Sequence, residues 1–412
     1  MIQSLSYTEF SRRIAFGTRH RNVAVQGTIE LSHRCPLECV HCYNNLPMAD
    51  AQARRSELTT QEYIALLDEI ADLGCLWLCL SGGEIFARRD FFEIYEHAKR
   101  KGFLVTLFTN GILIDERVAN RLAELPPFSI EITLYGRTKQ TYENLTRIPG
   151  SWDKCMRAIR LLLARNLPLK LKTVAISINK HEVYDIKAFA DELGVDLKFD
   201  AMMNPRIDCS AAPLSVRLSP TELVELDLRD EARAAEFKRL GSVLSPPPQT
   251  NETPTMYDCG GGLHSWAMDP YGNLTICVLS HKDNFNIREQ TFAEAWNGLM
   301  DVRQKPATRP TKCTKCQIRT MCGMCPANGE LENGDPEAPV DFLCHVAHLR
   351  AAALDIEVPE HGECEYCVGG SAHGVIADEV LQLAAASAYT ANIELSNVPA
   401  ESCGGGTCAC QK

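Results

Sequence analysis

The segment Glu30–Tyr43, ELSHRCPLECVHCY, places Cys35, Cys39 and Cys42 in a C-x3-C-x2-C spacing directly behind a short apolar run, Gly27–Leu31. Thiolates so closely spaced are ligands for iron–sulfur clusters or zinc. A cubane cluster commonly takes four protein ligands. Three with no obvious fourth leave one iron open to a group that is not protein. A zinc knuckle short of one ligand, or reduced structural thiols, are the alternatives that the triple alone leaves standing.

The rest of the composition narrows the setting. The opening stretch MIQSLSYTEFSRRIAF has no continuous apolar h-region, and no uncharged apolar run is long enough to span a bilayer. The expectation is a cytoplasmic protein without a membrane partner. In that reducing compartment 19 cysteines point to metal ligation rather than a disulfide framework. A net charge of −11 argues against nucleic acid and anionic lipid.

The organisation expected from the pattern begins with an N-terminal segment, 1–26. From 27 to 205 apolar strands alternate with amphipathic helices. Strand candidates are Gly27–Ser32, Leu76–Leu80, Leu104–Phe108, Phe128–Leu134, Leu169–Ile178 and Val195–Phe199. Helix candidates are Thr60–Leu73, Asp90–Lys101, Asp115–Leu125, Ser151–Arg165 and His181–Leu193, with Thr59, Asp115 and Ser151 as caps and Gly74, Gly102 and Gly194 as stops. The strands read as apolar and non-alternating, as if buried on both faces of a parallel sheet. Right-handed crossovers then give an α/β fold, a partial (β/α)6 TIM-type barrel whose functional residues lie at the C-terminal strand ends. Residues 206–256 read as a transition, with the loop SPPPQTNETPT as boundary. Residues 257–354 form a cysteine-rich domain with too little apolar sequence to bury a core unaided, which suggests that metal holds it together. Residues 355–412 form an extension with Cys364 and Cys367, and with Cys403, Cys408 and Cys410 in a glycine-rich ending.

At the end of the second strand candidate stands Ser81-Gly82-Gly83-Glu84. Paired glycines allow close approach of backbone to a ligand, and the carboxylate offers an acceptor. Alone, this would read as a strand-to-loop turn. Here it occupies the strand end beside the cysteine triple, so the two can face one ligand.

With those two motifs in order, the chain resembles the radical S-adenosylmethionine enzymes. The resemblance implies that Cys35, Cys39 and Cys42 ligate a [4Fe-4S] cluster whose open iron takes the amino and carboxylate groups of S-adenosylmethionine. Gly82, Gly83 and Glu84 would match the segment that holds the methionine amino group. His41 stands where the family usually has an aromatic, and Ile85 where proline often follows GGE. Thr133 matches a polar residue that often contacts the cofactor, with a structural threonine as the alternative; Asn110 and Asn179 are weaker candidates.

The second cysteine field, Cys259, Cys277, Cys313-x2-Cys316-x5-Cys322-x2-Cys325 and Cys344, resembles the SPASM extension behind such barrels. That likeness implies two auxiliary [4Fe-4S] clusters. Cys313, Cys316, Cys322 and Cys344 would hold the distal one, and Cys259, Cys277 and Cys325 the proximal one. The proximal fourth ligand is open, with Asp258, His264 and Cys209 as candidates; zinc pairs are the alternative.

The resemblance further implies reductive cleavage of S-adenosylmethionine to a 5′-deoxyadenosyl radical, and an electron donor of flavodoxin or ferredoxin type. The expected substrate is a peptide or protein, oxidised to a thioether or carbon–carbon crosslink. A small-molecule radical dehydrogenase, a tetrapyrrole side-chain oxidase, or a non-catalytic iron–sulfur or zinc protein are the alternatives. Asp200, at the sixth strand end, is the candidate for orienting substrate or accepting a proton, beside an equally good capping role. The tail cysteines would be a substrate mimic, a fused substrate, a thiol donor, or incidental. Cys364 and Cys367 would be a further ligand pair or would stay reduced.

Overall fold

The computed structural model describes residues 6–18, 21–242, 255–359 and 364–396. Cys403, Cys408 and Cys410, and the boundary loop apart from Thr255, lie outside them. The six strands are β1 Gln26–Ser32, β2 Trp77–Gly82, β3 Leu104–Thr109, β4 Ser129–Thr133, β5 Leu169–Val174 and β6 Leu197–Asp200. They pair in parallel and in chain order. The intervening helices are α1 Thr60–Asp72, α2 Phe91–Arg100, α3 Glu116–Glu124, α4 Ser151–Leu163 and α5 Val183–Leu193.

Local chemistry explains these limits. Thr59 opens α1 in a capping box with Glu62, and Asp115 Oδ1 accepts from Val118 N to open α3. Gly194 ends α5 in the left-handed region that glycine adopts without strain. Ser151 does not cap α4: that place belongs to Gly150, also left-handed, and the Ser151 hydroxyl turns inward to Thr146 Oγ1 at 2.9 Å.

The strands alternate, contrary to the expectation of two equally buried faces. One set, with Leu78 and Leu80, Val105 and Leu107, Ile130 and Ile132, and Leu169 and Leu171, joins helix residues such as Leu67, Ile94 and Ile159 in one core. The other set carries Glu30, Cys79, Thr106, Phe108, Glu131, Thr133 and Lys172 on the opposite face. The polar set was hidden within runs such as LKLKTV and SIEIT, where small and charged residues sit between leucines and isoleucines.

A further strand, β7 Ser265–Met268, pairs in parallel with β1 on the side away from β2. It is followed by antiparallel β8 Asn273–Thr275 and β9 Phe285–Asn286, giving a nine-stranded sheet. Trp266 packs its ring on Gly27, where an added Cβ would meet the ring at 2.2 Å. The chain accordingly divides at places other than the sequence blocks. One compact unit comprises Met1–Leu218, Pro248–Thr311 and Met324–Val340; the other comprises Ser219–Pro247, Lys312–Gly323 and Asp341–Lys412. The strands of the cysteine-rich region complete the barrel sheet, because β1 offers them an unpaired edge.

In the second unit the helix Asp341–Ala353 packs against the helices Pro220–Arg229 and His373–Ser396. Its Arg350 is buried on Asp227, Nη2 to Oδ2 at 2.6 Å, and also donates to Met321 O. Among the described residues no helix is long and apolar enough to cross a membrane.

Candidate active site

The loop after β1 is fixed before its cysteines begin. Arg34 makes a two-pronged contact to the Glu57 carboxylate at 2.8 and 2.9 Å, and Ser32 Oγ donates to the same group at 2.5 Å. All three residues are buried, so the pair is shielded from solvent and fixes the strand exit. On the polar face Glu30 accepts from Tyr43 Oη and Asn44 Nδ2, each at 2.6 Å, and lies 3.1 Å from His33 Nε2. This carboxylate ties the far end of the cysteine loop back to β1. Glu38 N and Val40 N donate to Thr146 O and Leu145 O, anchoring the middle.

Gly82 and Gly83 bring the end of β2 against that loop. Gly83 N donates to Ser32 O at 2.6 Å and Glu84 N to Arg34 O at 3.1 Å. A Cβ on Gly82 would lie 2.3 Å from Ser32 O, and one on Gly83 2.4 Å from His33 O. The close approach expected toward a ligand is thus made to the chain's own backbone. Glu84 is buried and already occupied: its carboxylate accepts from Thr109 Oγ1 at 2.8 and 2.9 Å, from Asn110 N at 3.0 Å and from Phe86 N at 3.2 Å. Burial pushes its pKa up to about 7 despite these donors. Glu84 therefore joins the ends of β2 and β3.

That junction reaches the cysteines. Asn110 Oδ1 accepts from Ile112 N, which aims Nδ2 at Cys35 Sγ, 3.4 Å away. Burial pushes the Cys35 thiol up to about 12, with Glu84 and Cys42 adding repulsion. Cys39 and Cys42 are raised as well, first by burial, with Cys39 further raised by Cys42 and Cys35. Three partly or fully buried thiols, with each other's charges raising Cys35 and Cys39, fit a cationic centre, whose charge would release their protons. Among the described residues, the one group of three such ligands with all donor atoms within 4.8 Å lies elsewhere. The three sulfurs of this triple do not all lie within that distance of one another.

Around the triple, desolvation lowers the pKa of half-buried His41 to about 4, and its buried Nδ1 has no hydrogen-bond partner. Its ring meets Tyr135 edge-on at 4.8 Å. Burial, and then the charges of Cys39, Cys42 and Cys35, push the Tyr135 hydroxyl well above its ordinary value. Tyr135 escaped the sequence reading; its signal was an aromatic just beyond the fourth strand end. Arg206 also escaped it: Nη1 donates to Cys42 O at 3.0 Å and to Asn45 Oδ1 at 2.9 Å, locking the loop's exit. Asn179 lies apart from the triple, buried, with its amide tying Tyr135 O and Val174 O. Asp200 is exposed, and its Oδ1 accepts from Met202 N at 2.9 Å, the capping role.

On the sheet's polar face Lys172 Nζ sits 2.9 Å over the Phe108 ring centroid. Burial lowers its pKa to about 8, against the opposing pull of Cys79 and Glu131. The same burial raises Cys79 to about 12.

The later cysteines gather in two sets, one in each unit. In the first unit Cys277 is raised to about 11, by burial and then by the charges of Cys325 and Cys259. Of the candidate fourth ligands, Cys209 is exposed, its Sγ 3.9 Å from Glu330 O. In the second unit Cys344 and Cys313 interact, which raises the pKa of Cys344 and lowers that of Cys313, while Cys322 and Cys316 repel the latter.

The Radical SAM superfamily model matches residues 29–190. The chain is 33% identical over 334 residues to the Fe-coproporphyrin III synthase of Methanosarcina barkeri, covering 71% of this chain and 80% of that protein. It is 28% identical over 341 residues to a PqqA peptide cyclase of Rhizobium meliloti, covering 80% and 89%. Its fold matches Streptococcus suis SuiB bound to the precursor peptide SuiA with a TM-score of 0.62 at 16% identity, covering 84% and 82%. The cysteine triple, the glycine pair packed on the residues that lead into it and these likenesses agree: the chain belongs to the radical SAM superfamily, whose enzymes work with a [4Fe-4S] cluster and S-adenosylmethionine.

Proposed function

We propose that this enzyme oxidatively modifies a peptide or protein side chain, leaving a thioether or carbon–carbon crosslink. The observation that carries the reading is the extent of the likeness to the PqqA peptide cyclase. Its 341 residues run far beyond the barrel match at 29–190, into the cysteine-rich region. The cluster and S-adenosylmethionine, when bound, would supply the radical chemistry that takes hydrogen from a substrate C–H bond.

The chain's own residues have the following roles. Cys35, Cys39 and Cys42 hold the cluster, and Asn110 donates to a ligand sulfur. The backbone at Gly82–Gly83 lies beside the cofactor's methionine end, and Glu84 holds that backbone to β3. His41 and Tyr135 flank the adenine, and Thr133 orients Tyr135. Lys172 and Glu131 on the polar sheet face contact substrate, and Asp200 borders its entry. Cys259, Cys277 and Cys325 hold a proximal auxiliary cluster and Cys313, Cys316, Cys322 and Cys344 a distal one. Clusters held there would offer an acceptor for the electron that the substrate gives up. A flavodoxin- or ferredoxin-type protein supplies electrons in the cytoplasm.

The test is anaerobic turnover of the full chain with S-adenosylmethionine, a reductant and cysteine-containing candidate peptides. A peptide product lighter by two hydrogens, formed with 5′-deoxyadenosine, supports the proposal. A second reading, oxidation of a tetrapyrrole side chain, is favoured by the 33% identity to the Fe-coproporphyrin III synthase. Lys172 would then pair with a propionate. Consumption of a tetrapyrrole with no change in any peptide would establish that reading instead.

A further inference from the structure

In the second unit His348, Cys364 and Cys367 converge. All three are buried, and their ligand atoms lie within 4.8 Å of one another. Cys364 Sγ is 3.6 Å and Cys367 Sγ 3.7 Å from the same nitrogen, His348 Nε2. Nothing in the radical chemistry or in the two auxiliary sets uses these residues.

Three features identify what they hold. First, the spacing fits one ion. Zinc bonds sulfur at about 2.3 Å and imidazole nitrogen at about 2.0 Å, so tetrahedral ligands lie about 3.6 Å apart, sulfur to nitrogen. The two observed separations match that edge. One imidazole lone pair accepts one S–H, so two sulfurs nearly equidistant from it are what a shared cation produces.

Second, the imidazole is set in the ligating tautomer. His348 Nδ1 lies 2.8 Å from Cys344 O, one turn back on the helix Asp341–Ala353. A carbonyl only accepts, so Nδ1 carries the proton and Nε2 directs its lone pair at the sulfurs. This second contact is the one that metal-bound histidines characteristically make.

Third, the C-x2-C segment is a preformed knuckle. Cys367 N donates to Cys364 O at 3.3 Å, Gly370 N to Cys367 O at 2.8 Å and Ala372 N to Glu365 O at 2.8 Å. A Cβ on Gly370 would lie 2.3 Å from Glu365 O, so only glycine lets the turn close. Between the cysteines, Tyr366 stacks on His345 at 5.1 Å and leans on His348 at 5.5 Å, with its hydroxyl donating to Asp341 Oδ2 at 2.9 Å. These contacts register the knuckle on the helix.

We propose that His348, Cys364 and Cys367 form a structural Zn2+ site that ties the C-terminal extension to the helix Asp341–Ala353. Two thiolates and a neutral imidazole bring a charge of −2, which Zn2+ cancels, so the burial is tolerated. The fourth tetrahedral position is left to a group other than these three. Cys344, on the same helix, is engaged with Cys313 and lies outside the group. The ion and the cluster assigned to Cys344 thus share a helix but no ligand.

The experiment is metal analysis of the full chain, purified and cluster-loaded anaerobically, then passed through a mild chelator. One zinc per chain is expected beside the iron. Zinc-edge X-ray absorption should give sulfur at about 2.3 Å and nitrogen at about 2.0 Å. His348→Ala and the double substitution C364S/C367S should lose the zinc and keep most of the iron. Cys313→Ser should keep the zinc and lose the iron of one cluster, and His348→Cys should retain zinc with an added sulfur. Absence of zinc above the buffer blank would overturn the site, as would zinc that survives C364S/C367S. So would a Cys364–Cys367 disulfide in the anaerobic protein. If the variants do not fold, the wild-type absorption spectrum decides: a zinc shell of oxygen and nitrogen alone refutes the proposal.

Discussion

Asn110 Nδ2 stands 3.4 Å from Cys35 Sγ, at the end of a chain of contacts that runs from Thr109 through Glu84 to the cysteine loop. A hydrogen bond to a cluster sulfur offsets the negative charge gained on reduction, and so raises the reduction potential. Replacing Asn110 by Leu should leave the iron content intact and lower the potential of this cluster. A bond worth about 1 kcal/mol corresponds to roughly 40 mV for one electron. Redox titration followed by electron paramagnetic resonance reads the shift directly.

Gly83→Ala tests the packing of the glycine pair. Its added carbon would meet His33 O at 2.4 Å and Arg34 O at 2.7 Å, both backbone atoms that cannot rotate away. The cysteine loop must then move. The expected outcome is a loss of at least about 2 kcal/mol in stability and defective loading of the radical cluster. Denaturant unfolding and iron analysis of the variant check it, with the later cysteines serving as an internal control for iron.

Glu84 gives a pH signature in protein stripped of clusters. Its folded pKa, about 7, lies above the ordinary value of 4.5. The folded state therefore holds a proton that the unfolded state releases. Stability is fully present below about pH 4.5 and falls as pH rises through about 7, by roughly 3 kcal/mol for a shift of this size. Melting temperatures across that window should decline in the wild type, and Glu84→Gln should flatten the decline.

Arg206 clamps the loop exit at Cys42 O and Asn45. Arg206→Lys cannot reproduce the fork and should release the exit while keeping the charge. The expected result is a radical cluster that forms but degrades faster under air, with S-adenosylmethionine cleavage reduced about tenfold as the site loosens. Time courses of cluster absorbance and of nucleoside formation measure both effects.

Much of this was legible in the chain, and the gaps have physical reasons. Six strands, five helices and the Thr59 and Asp115 caps follow from local periodicity and capping chemistry, which short windows carry. The pairing of Ser265–Met268 with β1 does not, because it joins residues far apart in sequence and depends on a free sheet edge. The Cys35, Cys39 and Cys42 spacing and the following GGE marked the site, since their ligand geometry is local. Tyr135 and Arg206 act through a neighbour that only folding brings near, so no spacing betrays them. His348 was missed for the same reason: its partners stand in a C-x2-C pair on a separate segment.

The measurement that tests the central claim most directly is 5′-deoxyadenosine formation by the cluster-loaded full chain under strictly anaerobic reduction. The account requires nucleoside and methionine in equal amounts from the wild type. With Cys39→Ala it requires no nucleoside, although most of the iron stays with the later cysteines. A wild-type protein with a full complement of iron that yields no 5′-deoxyadenosine, or a Cys39→Ala variant that yields as much, would contradict it.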